Sequence, residues 1–95
     1  MRRILLSLVF ASCLVGARAA EAPPGASSCS GCHPAAAASG AQPASLAGLA
    51  AQEIVDAMRE FRDGRRSATI MDRVAKGFTD DETAAIAAWW AARRN

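Results

Sequence analysis

The chain has 95 residues, with 11 basic and 9 acidic side chains, one histidine and a formal charge of +2 at pH 7. A chain this short holds one small domain with a thin core, and so even a charge balance excludes a general nucleic-acid binder, which concentrates Lys and Arg. The lone histidine excludes any site needing two imidazoles from one chain.

Met1-Arg2-Arg3, the apolar stretch 4–16 and the small residues Ala17-Arg18-Ala19-Ala20 follow the order of a secretory signal. The apolar stretch is shorter than the roughly 20 residues of a membrane-spanning helix. Cleavage is expected after Ala19, which discards Cys13, and no membrane span is expected afterwards. The expected organisation is a signal peptide over 1–19, a flexible Pro- and Gly-containing arm over 20–28 and one domain over 29–95. Loss of Arg2, Arg3 and Arg18 takes the 11 basic residues to 8 against 9 acidic ones, so the exported protein is near neutral. Export to the periplasm is the expectation. There Cys29 and Cys32 would tend to bridge unless something else claims them.

A short helix is expected to carry the cysteines. Residues 34–45 are rich in Ala, Gly and Pro without apolar periodicity and read as an irregular loop. From Leu46 to Phe61, the residues Leu46, Leu49, Ile54, Val55, Met58 and Phe61 recur at three- and four-residue steps, the pattern of an amphipathic helix, with Gly64 as its stop. One or two helical turns are expected over Ile70 to Lys76, ending at Gly77. Thr79-Asp80-Asp81-Glu82 then matches a capping box at the start of an Ala-rich terminal helix that closes on Arg93 and Arg94. Nothing alternates with period two, so the fold is expected to be all-α.

Cys29-Ser30-Gly31-Cys32-His33 carries the chemistry. Two thiols three positions apart can form thioethers to both vinyl groups of a haem, and a histidine immediately after is then held beneath the iron. A thioredoxin-like pair would need a βαβ context, and a tetrahedral zinc site would need a fourth ligand. A plain disulfide leaves His33 without a purpose. One covalent haem c is therefore the expected cofactor. With a single histidine the sixth ligand is a methionine, a weaker donor or nothing. Met58 sits on the apolar stripe, where packing explains it. Met71 follows an irregular stretch able to reach the distal face and is the expected ligand, a pairing that raises haem potential. His33 and Met71 would then be the iron ligands. The expected haem wall is Leu46, Leu49, Ile54, Val55, Met58, Phe61, Ile70, Val74, Phe78, Ile86 and Trp89. Of the two adjacent tryptophans, Trp89 is expected inside, three residues after Ile86, and Trp90 at the surface.

On these residues the chain resembles the class I cytochromes c: Cys29 to His33 near the front, Leu46-Ala47-Gly48-Leu49 opening a helix, then Met71, then an acid-capped terminal helix with aromatics. The stretch Gly64 to Glu82 is especially similar to the cytochrome subunit of flavocytochrome c sulfide dehydrogenase and related short periplasmic cytochromes. The resemblance implies a small fold of helices packed around one covalent haem, Met71 as distal ligand, and a proline after the motif, here Pro43, whose carbonyl accepts the second proton of His33.

No catalytic dyad, nucleophile–base pair or phosphate loop is visible, so the chain reads as an electron carrier rather than an enzyme on its own. Its expected partner is a redox protein. That partner is either the sulfide-oxidising flavoprotein of a complex or, for a free shuttle, a terminal oxidase or reductase. A five-coordinate haem that binds gases or acts as a peroxidase follows only if Met71 does not ligate. Arg62, Arg65, Arg66, Arg73 and Lys76 cluster around the methionine segment, either as a solvated face or as a field that steers the partner.

Overall fold

A computed structural model describes residues 21–34 and 42–93. The expected signal peptide and most of the loop after the cysteine motif lie outside these residues. All regular structure among the described residues is helical: α1 (Ala26–Cys29), α2 (Ala51–Arg62), α3 (Met71–Ala75) and α4 (Asp80–Ala91). α1 and α2 pack against α4, and α3 packs against α2. The all-α expectation is met.

Gly25 starts α1 at φ 87°, a left-handed conformation that costs glycine little. A Cβ there would also lie 2.6 Å from Cε1 of Phe78. The next residue, Ala26, is fully buried. The arm expected over 20–28 therefore ends sooner, because Ala26 to Ser28 belong to a helix docked on the core.

α2 begins at Ala51 rather than at Leu46. Gly48 stands at φ 79°, which no right-handed helix contains, and the amide of Leu49 donates to the Leu46 carbonyl in a turn of its own. Ala50 has no side-chain acceptor, so only half a capping box forms, with Ala50 N–H donating to Glu53 Oε2 at 3.2 Å. The other end is a Schellman stop at Gly64: Arg65 N–H donates to the Glu60 carbonyl at 2.9 Å and Gly64 N–H to that of Phe61 at 3.3 Å.

α4 has the full capping box that its sequence announces. Thr79 Oγ1 accepts from Glu82 N–H at 3.2 Å, and Glu82 Oε2 accepts from Thr79 N–H at 2.8 Å. Thr79→Ala removes one of these bonds and is expected to cost about 1 kcal/mol, measured as a lower thermal midpoint of the holoprotein.

The buried apolar residues are Ala26, Ala47, Ala75 and Ala87 with Ile54, Ile86 and Trp90. The expectation for the tryptophans is corrected: Trp90 is 2% exposed, and Trp89 is half-buried at the margin of the core. The inner stripe of α4 runs Thr83, Ile86, Ala87, Trp90, so the step from Ile86 is four residues, not three. Burial suits Trp90 because its indole N–H reaches the Ala26 carbonyl at 3.2 Å. Trp89 meets Trp90 edge to face with centroids 5.1 Å apart, and the guanidinium of Arg93 lies 3.9 Å from the Trp89 ring centre.

Candidate haem-attachment site

The turn of α1 continues past its last residue, because Cys32 N–H and His33 N–H both donate to the Cys29 carbonyl, at 3.2 and 2.8 Å. Helical winding therefore carries Cys29, Cys32 and His33 as one rigid unit. Cys29 is half-buried and Cys32 is exposed. Burial pushes the Cys29 thiol up, partly opposed by a hydrogen bond from the Trp90 side chain. Its Sγ also donates to the Gly25 carbonyl at 3.6 Å. The first cysteine is thus fixed between α1 and α4, and the second faces outward.

His33 Nδ1 lies 2.6 Å from the Ala44 carbonyl oxygen. A carbonyl only accepts, so Nδ1 carries the proton and Nε2 is left with the free lone pair. The acceptor expected from the resemblance was Pro43; the structure moves it one residue on, to Ala44. Pro43 itself is exposed.

Met71 is half-buried at the first position of α3. Ile70 and Val74 stand one turn apart beside it and are 59% and 38% exposed; Leu49 is 37% exposed. These three are the large hydrophobic residues left exposed among the described residues, and all three belong to the expected haem wall. Leu46, Val55, Met58 and Phe78 pack on the buried cluster. A core more than half alanine by number, with Leu49, Ile70 and Val74 left uncovered, fits a chain whose apolar surface is completed by a planar cofactor. Met58 is accounted for by its packing on that cluster.

The basic residues are less free than their clustering in sequence suggests. Arg62 Nη1 pairs with Asp80 Oδ1 at 2.8 Å, Arg65 with Asp63 at 3.2 Å and Arg66 with Glu60 at 2.9 Å. Arg73 and Lys76, both on or beside α3, have no ion pair among the described residues.

The hydrogen bond and charge of Arg62 hold the Asp80 carboxyl below its ordinary range, and Asp80 raises Arg62 in return. A depressed carboxyl pKa contributes stability above the unfolded-state value, about 3.9, and that contribution disappears as pH falls through the folded value. Asp80→Asn is therefore expected to lower the thermal midpoint at neutral pH and to match the parent in acid, below both values.

No protein-family model matches the chain. Over 94 residues, 95% of its length, the chain is 35% identical to the thiosulfate dehydrogenase electron acceptor of Thiomonas intermedia (strain K12), of which it covers 43%. Over 63 residues, 66% of its length, it is 36% identical to the cytochrome subunit of sulfide dehydrogenase of Chlorobaculum tepidum, of which it covers 57%. The chain thus spans about half the length of the curated relatives it matches. The expected resemblance to the cytochrome subunit of a sulfide dehydrogenase is met.

Proposed function

We propose that this chain is an exported, periplasmic one-electron carrier with a single covalent haem c, accepting electrons from a dehydrogenase that oxidises a reduced sulfur compound. When bound, the haem would supply a ferric/ferrous couple for one-electron transfer. Cys29 and Cys32 would hold it by thioethers, and His33 through Nε2 and Met71 through its sulfur would ligate the iron. Leu46, Leu49, Ile70 and Val74 provide apolar wall, with Trp89 at its margin. The observation that carries the reading is the hydrogen bond from His33, at the end of the Cys29–His33 turn, to the Ala44 carbonyl eleven residues on, which fixes the imidazole tautomer that an iron ligand needs.

The relatives are named for dehydrogenases of thiosulfate and of sulfide, so the donor is taken to be of that class, a flavoprotein in the sulfide case. The chain is then the acceptor of such an enzyme and no catalyst by itself. The test mixes oxidised protein anaerobically with a periplasmic extract of its source, with and without sulfide or thiosulfate, and follows the haem absorption. Reduction that requires one of these substrates is expected. Equal reduction without either substrate contradicts the sulfur pathway and returns the chain to a general shuttle.

Encounter with that donor should depend on the two uncommitted cations. Replacing Arg73 and Lys76 together with Gln is expected to slow second-order reduction and flatten its salt dependence. The same change at the ion-paired Arg65 and Arg66 should do less. Stopped-flow reduction across a salt series measures both pairs.

A further inference from the structure

Arg62 is the last residue of α2 and Asp80 the first of α4. The segment between them, 63–79, is a surface loop that carries α3, and Met71 stands midway along it. Its two ends are joined by the 2.8 Å contact of Arg62 Nη1 with Asp80 Oδ1. Among the described residues this is the one ion pair linking two helices; the others join residues at most six apart in sequence.

What surrounds the pair gives it weight. A groove of about 260 Å³, lined by Val55, Met58, Ala75 and Ala84 together with Arg62 and Asp80, lies between the two helices at this point. No side chain fills it. α3 packs against α2 and makes no helix contact with α4. The loop is therefore held on its α2 side by the packing of α3 and at its last residues by Phe78 on the buried cluster, while between α3 and α4 the charge pair bridges the groove. Loops attached in this way open at lower free energy than the core does.

We propose that Arg62 and Asp80 are positioning residues that latch the neck of the Met71 loop and so keep the methionine sulfur at its ligand position. The inference rests on the ligation reading above and adds the element that controls how long Met71 stays in place. Neither residue touches the attachment turn, so the latch acts through the loop alone.

The experiment mixes oxidised holoprotein with imidazole, which can enter only when Met71 leaves; the rate at saturating imidazole reads loop opening. Exposed ion pairs are weak, so Arg62→Gln is expected to open up to about five-fold faster at low salt. Salt at about 1 M, where the Debye length is about 3 Å, should raise the parent to the variant's rate and leave the variant unchanged. Arg62→Lys should restore most of the parent behaviour, and adding Asp80→Asn to Arg62→Gln should add nothing further.

Equal low-salt rates for parent and Arg62→Gln overturn the latch. So does a faster variant whose parent shows no salt dependence, since the change would then come from helix packing. In both cases the near-infrared iron–methionine absorption is present in the parent. Its absence there removes Met71 as ligand, and the latch falls with it.

Discussion

Cys29→Ser with Cys32→Ser is expected to leave a chain that does not fold: far-UV circular dichroism should show little helix, and no haem should remain through purification. The reason lies in what the core contains. Four of its buried apolar residues, Ala26, Ala47, Ala75 and Ala87, are alanines, which bury little surface each. Leu49, Ile70 and Val74 remain exposed when the protein alone is considered. A domain this small is marginal without a staple, and a tightly attached cofactor supplies stability in proportion to how well the folded state retains it. Each single Cys→Ser change should show the same loss in lesser degree. Cys29→Ser should be the worse of the two, because Cys29 is half-buried against Trp90 while Cys32 is exposed. A double variant with parental helix content and cooperative unfolding would show that the side chains suffice.

Met71→Ala is expected to abolish the weak near-infrared absorption of oxidised iron bound to methionine and to lower the reduction potential, because a thioether ligand stabilises the reduced state. The helices should survive, since Met71 opens a five-residue helix whose buried member is Ala75. Met58→Ala should behave in the opposite way. Met58 packs on the buried cluster with Val55, so its loss is expected to cost stability near the lower end of about 2–5 kcal/mol, with spectrum and potential retained. Potentiometric titration and thermal melting of both variants separate the two roles. The reverse pattern would transfer the ligand to Met58.

Much of this was legible because it is local. The Thr79–Glu82 capping box, the Gly64 stop and the Cys29–His33 turn are each written within a few consecutive residues, where side-chain chemistry alone decides the outcome. Gly48 was equally visible, yet the apolar step from Leu46 to Leu49 outweighed it, and only the positive φ shows why α2 waits until Ala51. The tryptophans turned on a single register choice. Steps of three and four residues from Ile86 are both helical, and the choice fell to Ala26, whose buried carbonyl needs the Trp90 N–H. The acceptor for His33 lies eleven residues away, and which of two adjacent carbonyls reaches the ring is set by local backbone geometry that the residue types do not encode. The Arg62–Asp80 pair joins residues 18 apart, and no local pattern marks one arginine of a cluster for a distant aspartate.

Whether Cys29 and Cys32 hold one haem through thioethers is decided by extracting the purified protein with acidified acetone. Acid breaks bonds from iron to histidine or methionine but leaves carbon–sulfur bonds intact. The colour should stay with the precipitated protein, and a tryptic peptide spanning Cys29 to His33 should carry the mass of one haem. A colourless precipitate with all haem in the acetone, and an unmodified Cys29–His33 peptide, would contradict thioether attachment.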